Sequence, residues 1–427
     1  MFNAVFESTD GHQIDVRTGV TAKFDLARVA PWPAVCHARN KTRPRVFFHS
    51  RAQWRDCAPG RALFIIARAG CREAEGEAVL TTSESLHGRA LPRGCTFSES
   101  DWRVLAPFWY PVAFSHEITD RPHAVTLLDE RVVVYRLSDG SLSAARDICP
   151  HRGVPLSLGH VEGNEIICKY HGLRYDRNGK CTCIPAHPNQ TISPRLRLDM
   201  FSVKERYGLV WVRLVDNGPR PLPEMREWED ADYIKALPDS VIINAAAGRQ
   251  VEGFLDVSHF AFVHAASFGE PDNPVVPDYP ITKTATGFVA DYISTVSNYS
   301  QESKHLSPPG FLWRRRFEAF LPFVAKLTVF FPGEGQLQIM NAASPASARK
   351  TRLFVPICRN FDKDAPLQAT LDFNYQVFAE DIGIVERQFP EDLPIDLQAE
   401  AHFPADRSSI AYRRGLAELG LGRSYTT

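Results

Sequence analysis

Cys149-Pro150-His151-Arg152-Gly153 and Cys168-Lys169-Tyr170-His171-Gly172 decide how this chain is read. The first reads C-x-H and the second C-x-x-H, each followed by a glycine. Two thiolates and two imidazoles so arranged can hold a [2Fe–2S] cluster with the cysteines on one iron and the histidines on the other. A structural zinc site takes the same four donors. Zinc sites of that composition usually keep the cysteines together and the histidines together, whereas here each short motif carries one of each. Gly153 and Gly172 suit tight loops closing over a small cluster. The pattern therefore favours Cys149, His151, Cys168 and His171 as ligands of a Rieske-type cluster.

Outward from the motifs the texture is that of short strands. Phe108-Trp109-Tyr110-Pro111-Val112, Arg131 to Arg136 and Gly208 to Val212 are β-like, and Asp139-Gly140 and Asn178-Gly179 are turn signals. This predicts a small antiparallel β domain over 102–216 with the cluster loops inside it. Cys181-Thr182-Cys183 reads as plain strand or loop. A Pro-rich link, Asn217 to Pro223, marks a boundary. Beyond it, over 224–427, Val241–Ala245 and Arg316–Phe331 look like strands, and Phe373–Gln388 and Ser408–Leu419 look helical. The fold class expected is α+β, a small antiparallel β domain followed by an α+β domain around a central antiparallel sheet of helix-grip type. Residues 1–100 are Arg-rich with scattered cysteines and little periodicity. They read as a poorly ordered extension without assigned role, or as sequence ahead of a start called too early.

Composition sets outer limits. The chain has 427 residues, a formal net charge of −1 and 44% hydrophobic residues, enough for two or three globular domains. Such a balance gives no reason to expect nucleic acid or an anionic membrane surface. No run of eighteen apolar residues suggests a spanning helix, and Met1 to Asp10 lacks the features of a secretory signal. Nine cysteines without framework spacing fit reduced thiols and a cytoplasmic location.

A second metal site is suggested by Asp256-Val257-Ser258-His259-Phe260-Ala261-Phe262-Val263-His264. Two histidines in an apolar, helix-like run are costly unless bound to something. With one distant carboxylate they form the two-histidine, one-carboxylate face that leaves positions open on Fe(II). Asp256 and His259 are expected on one helical face. A spacing of five would splay His259 and His264 by about 140° on a regular helix, which predicts a widening or break between them. Glu380-Asp381, opening an amphipathic run, is the best source of the carboxylate, with Asp381 preferred and Glu380 the alternative. Trp313-Arg314-Arg315-Arg316-Phe317 reads first as an alternating solvated strand and second as a source of an arginine for an anionic substrate.

Together these motifs resemble the Rieske non-haem iron oxygenases, α subunit, over about 102–427. The similarity is to monooxygenases such as vanillate O-demethylase and dicamba demethylase, and to saxitoxin-pathway Rieske hydroxylases. Ile184 to Pro188, Glu205 to Val212, Asp256 to Phe260, and the tail from Pro404-Ala405-Asp406-Arg407 to Ala411-Tyr412-Arg413-Arg414 echo the last group. High-potential Rieske proteins carry an extra cysteine beside each motif; Val154 and Tyr170 stand there, so the resemblance is to the lower-potential oxygenase kind. It implies a [2Fe–2S] cluster on Cys149, His151, Cys168 and His171, and Fe(II) on His259, His264 and Asp381. Asp256 is implied as the carboxylate bridging the centres between His171 of one subunit and His259 of the next, in a head-to-tail homotrimer. O2 is then a co-substrate. Electrons come from NAD(P)H through a separate flavin or ferredoxin-type reductase, since the chain shows no nucleotide fingerprint of its own. The reaction implied is hydroxylation or O/N-demethylation of a small aromatic or polycyclic compound. Arene cis-dihydroxylation and electron transfer without catalysis are the alternatives. Relatives often have Asn where Gly253 stands, which leaves any Asn-dependent tuning of the iron pocket in doubt.

Overall fold

The structure is a computed structural model that describes residues 90–216, 218, 220–296 and 307–422. The extension expected over 1–100 therefore lies, apart from its last residues, outside the described part. Packing begins ahead of Trp102. Phe97 is buried, and Ser98 caps helix α1 (Glu99–Leu105) by accepting the amide of Asp101.

Strands β1 (Tyr110–Phe114), β2 (His123–Leu127), β3 (Glu130–Arg136) and β4 (Leu142–Arg146) lead into β5 (His160–Glu162), β6 (Glu165–Ile167), β7 (Arg174–Asp176) and β8 (Cys181–Cys183), then β9 (Met200–Arg206) and β10 (Leu209–Arg213). They form a six-stranded antiparallel sheet, order β1-β10-β9-β4-β3-β2, and a four-stranded one, β5-β6-β7-β8. Gly140 and Gly179, in the two sequence-predicted turns, take φ of +86° and +75°, the left-handed region open to glycine. Between the two sheets a small core gathers Val133, Tyr135, Leu156, Ile166, Leu173 and Tyr175 around Cys149 and Cys168.

The second region begins with β11 (Ile234–Ala236), β12 (Val241–Ile243), α2 (Ala247–Leu255) and α3 (Phe260–Val263). The sheet continues with β13 (Ile281–Lys283), β14 (Gly287–Ser294), β15 (Trp313–Phe320), β16 (Val324–Phe330), β17 (Gln336–Ser347), β18 (Lys350–Phe354) and β19 (Ile357–Arg359). Two helices, α4 (Leu367–Val385) and α5 (Arg407–Glu418), close the chain. Nine strands build one antiparallel sheet ordered β11-β19-β17-β16-β15-β14-β13, with β18 also on β17 and β12 on β18. The expected strand Arg316–Phe331 is a hairpin, because Leu321-Pro322-Phe323 turns the chain between β15 and β16. The helix-over-antiparallel-sheet architecture is the α+β arrangement expected.

The regions are tied where β1 meets β17. Trp109, Phe114 and Trp211 pack with Met340 and Phe354. Arg352 donates to the Val112 carbonyl at 3.0 Å and to Glu117 at 3.0 and 3.2 Å. The β2–β3 turn, Leu128-Asp129, takes φ of +50° and +62° without a glycine. Strain of this kind persists only where neighbours fix it: both turn amides donate to β17, at Pro345 and Ala346, and the Leu128 carbonyl accepts the Trp102 indole N–H. No helix among the described residues is long and apolar enough to cross a membrane.

Candidate metal centres

The two motif loops repeat one hydrogen-bond scheme. The Cys149 amide donates to Val154 and Gly153 donates back to Cys149, at 2.8 and 2.9 Å. Cys168 donates to Leu173 and Gly172 back to Cys168, both at 2.9 Å. Gly153 and Gly172 have φ of +72° and +67°, so a side chain there would be strained. Asp147 braces the first loop by accepting the amide and hydroxyl of Ser157. Both cysteines are buried, whereas His151 and His171 are exposed with ring centroids 4.6 Å apart. The Tyr175 hydroxyl lies 3.3 Å from Cys149 Sγ. Burial first, and then the Cys149 thiol, raise the pKa of Tyr175 and so keep the phenol protonated.

Among the described residues the only such trio of donor atoms within 4.8 Å of one another is elsewhere, at His259, His264 and Asp381. The Cys/His set thus does not converge on one point. A single zinc ion would draw its four donors to within about 4 Å of one another, while a two-iron cluster keeps thiolates and imidazoles on separate irons. The residues fit the cluster better than the ion.

The second motif departs from the helix expected of it. Helix α2 stops at Leu255, and Asp256 is extended (φ −76°, ψ 137°). Asp256 does not share a helical face with His259; it reaches it through a turn. Oδ1 accepts the Ser258 amide (2.9 Å) and hydroxyl (2.6 Å), and Oδ2 accepts the His259 amide (3.3 Å) and meets Nδ1 (3.1 Å). An Asp two residues before a Ser is a local turn signal that reading the run as helical passed over. His259 and His264 bracket the single turn of α3, and His264 leaves it with φ −95°, ψ 21°. The irregularity expected between them takes this form, a four-residue helix with a histidine at each end.

From α4, Asp381 completes the group. His259 Nε2 lies 3.1 Å from His264 Nε2, His264 Nε2 3.1 Å from Asp381 Oδ1, and His259 Nε2 3.5 Å from Asp381 Oδ1. An ion with bonds of about 2.1 Å at right angles needs donors about 3 Å apart. Glu380, the alternative ligand from sequence, stands behind the group. Its Oε2 lies 2.8 Å from His264 Nδ1 and accepts the Ser267 hydroxyl at 2.7 Å, and its Oε1 accepts Gln376 at 3.1 Å. With each Nδ1 held by a carboxylate, a neutral imidazole at either position turns its Nε2 lone pair toward Asp381. Such a set calls for a cation. Without a metal a proton supplies that positive charge: burial works against charging His259, yet hydrogen bonds and charge from Asp256 and Asp381 outweigh it and push its pKa up to about 9. Burial likewise opposes ionised Asp381, and the two histidines override it and hold its pKa below the usual value. The residues fit a facial Fe(II) site.

Beside the trio lies a narrow cavity of about 50 Å³ with a largely apolar lining. Strand register builds its floor. Phe317 pairs with Leu327 and Leu327 with Ile339, and Asn341 follows two residues along the same face of β17. Phe373, Asn374, Val377, Phe378 and Asp381 form one stripe of α4 above it. The arginines of β15 stay out. Arg314 and Arg316 both bond Asp291. Arg315 is not solvated as the sequence suggested but fully buried, with its guanidinium on Ser294 and the Val296 carbonyl. Glu252 is also turned away, bonded to Arg413. At Gly253 an added Cβ would meet only Val385 Cγ2 at 3.6 Å, so packing does not demand the glycine.

Known proteins match both regions. The Rieske [2Fe-2S] domain family matches residues 108–202, and the vanillate O-demethylase oxygenase C-terminal domain family matches 243–421. Methylxanthine N1-demethylase NdmA of Pseudomonas putida is 34% identical over 323 residues, 74% of this chain and 89% of that protein. Its solved structure with caffeine aligns at a TM-score of 0.67 with 32% identity, covering 75% of this chain and 92% of that one. Oxidoreductase NdmD of the same organism is 30% identical over 225 residues, 49% of this chain and 37% of that protein.

Proposed function

Because this chain belongs to the Rieske non-haem iron oxygenases as an α subunit, we propose that Cys149, His151, Cys168 and His171 hold its [2Fe–2S] cluster and that His259, His264 and Asp381 hold its Fe(II). The protein is a terminal oxygenase acting on a small aromatic compound, with O2 as co-substrate and electrons delivered by a reductase. Bound in these sites, the cluster supplies single electrons and the ferrous ion the O2-activating chemistry. In this reading residues 102–216 are the Rieske domain, 224–427 the catalytic domain, and 1–100 an extension without a role.

The convergence of two imidazole nitrogens and one carboxylate oxygen at His259, His264 and Asp381 carries the reading. The chain's own residues prepare the site. Asp256 and Glu380 each hold one imidazole by Nδ1 and fix its tautomer and direction. The phenylalanines of the cavity exclude water from the substrate carbon. Demethylation is favoured, since NdmA acts on N-methyl groups and the matching C-terminal family is named for an O-demethylase. Hydroxylating the methyl of R–X–CH3 consumes O2, two electrons and two protons and yields R–XH, formaldehyde and water. Asp256 is further assigned as the bridge between centres, joining His259 to His171 of the partner subunit in a homotrimer, and the location is assigned as cytoplasmic. The reductase is a separate protein that takes its electrons from NAD(P)H, a reading that the likeness of half this chain to part of NdmD supports.

The test is the iron and acid-labile sulfide content of anaerobically purified protein, wild type beside His259→Ala. The reading expects three irons and two sulfides per chain, falling to two irons in the variant with the cluster spectrum intact. Two irons in both would make the chain an electron carrier.

A further inference from the structure

Resting on the oxygenase reading and narrowing its substrate, we propose that the cavity takes a neutral aromatic molecule with an N–H or O–H donor on its ring edge, and that Asn341 selects it. Asn341 is 2% exposed and lines the cavity. Its Oδ1 is buried and has no hydrogen-bond partner in the protein. Buried polar atoms are ordinarily paired, and leaving one unpaired is costly. The rest of the wall offers it nothing. Six phenylalanines, Leu327, Ile339 and Val377 are apolar, and Asn374, the other amide, gives its N–H to the Thr370 carbonyl. A ligand donor is the natural partner for Asn341 Oδ1.

The charge of the ligand follows from the same wall. Apart from the proposed iron ligands, no ionisable side chain lines the cavity among the described residues. The nearest cations by sequence, the β15 arginines, are committed to Asp291, Ser294 and Val296. A carboxylate or sulfonate entering here would lose water and gain no counter-charge. A planar amide, imide or phenol meets no such cost.

The experiment is anaerobic calorimetric binding to the iron-loaded oxygenase with four probes. Theobromine carries a ring N–H that caffeine has methylated; vanillamide and vanillate share a ring and differ in charge. We expect theobromine to bind about ten-fold tighter than caffeine and vanillamide about ten-fold tighter than vanillate, since a site built around a hydrogen bond rejects the analogue lacking it. In Asn341→Leu the first ratio should fall to about two-fold or less while the second persists. Should the leucine variant lose iron, Asn341→Ala, which leaves a gap rather than a clash, takes its place. Tighter binding of vanillate than of vanillamide, a theobromine preference that survives both substitutions, or no binding of either neutral probe would overturn the proposal. Binding is read without turnover, so the two readings fail separately. The expected pattern with no formaldehyde on supply of O2 and electrons would keep the substrate class and sink the oxygenase reading; formaldehyde from vanillate alone would do the reverse.

Discussion

The Nδ1 atoms of His259 and His264 govern what their Nε2 atoms can do. Each is held by a carboxylate at 3.1 and 2.8 Å, from Asp256 and Glu380. Sequence reading placed Glu380 as a second choice of ligand, because adjacency to Asp381 does not say which side chain points inward; helix phase does. Its position behind His264 predicts that Glu380→Leu lowers Fe(II) affinity about 10- to 100-fold, read by chelator competition with the sulfide content unchanged. Glu380→Gln, which keeps an acceptor at that site, should lose much less. If the two variants bind iron equally well, the carboxylate has no such role. Cys358 carries a different residue-scale prediction. Burial, and then the charge of Glu227, push its thiol pKa up to about 12. The raised value means the neutral thiol persists through ordinary pH and the reactive thiolate forms only as pH approaches 12. In native protein at pH 8, Cys358 should resist iodoacetamide while the half-buried Cys183 is alkylated; mass-spectrometric mapping of the modified peptides decides.

Helix α2 delivers the iron motif, and its own anchorage is ionic. Arg413 of α5 bonds Glu252 of α2 at 2.6 and 2.9 Å and also bonds Glu400; Glu400 in turn takes Arg249 of α2 at 2.8 Å. Arg413, Arg249 and Glu252 are all under a tenth exposed. For Glu252 the burial cost outweighs its arginine and raises its pKa, so the network holds the helices in register more than it adds stability. Removing one partner should therefore hurt more than removing both. Arg413→Met is expected to cost about 3–5 kcal/mol by leaving Glu252 buried and uncompensated. Adding Glu252→Leu should restore most of that loss, since Arg249 and Glu400 remain paired. Denaturant melts of wild type, single and double variants measure it, and a double variant weaker than the single would refute the account. None of this was legible beforehand. Glu252 carried no reading of its own, and Arg413 read only as part of a family-like tail, because their pairing spans 161 positions and only the packing of α2 on α5 creates it. The helix break at Asp256 was legible in part: the five-residue histidine spacing forced an irregularity, but its place depended on the Asp256–Ser258 turn.

At the scale of the molecule, what could be read in advance was what is local. The motif loops place all four proposed cluster ligands within one stretch, and their glycines and turn signals carry the strand–loop–strand pattern with them. The proposed iron site is split between α3 and α4, with Glu380 116 positions from His264, so until the fold supplied the distance its carboxylate rested on an acidic pair opening a helical run and on resemblance. Asn341 gave no signal at all, because a polar residue in a long strand shows its meaning only when neighbouring strands supply Phe317, Leu327 and Ile339 beside it. The same logic bears on how many chains make one working enzyme. Within a single chain the described hydrogen bonds of the Asp256 carboxylate are to Ser258 and His259, while His151 and His171 stand exposed on the other sheet system beside Tyr170, itself 60% exposed. The bridge proposed for Asp256 would join it to a neighbour's cluster tip, and the proposed ring of three head-to-tail chains would provide one at each contact. Light scattering of the holoprotein should give the mass of three chains. Trimers partly dissociated by dilution should keep cluster and iron yet lose single-turnover product formation in proportion to the monomer present, even with the cluster chemically reduced beforehand. A monomer that turns over at the full rate would sink both the trimer and the bridging role of Asp256, and would require an electron path inside one chain.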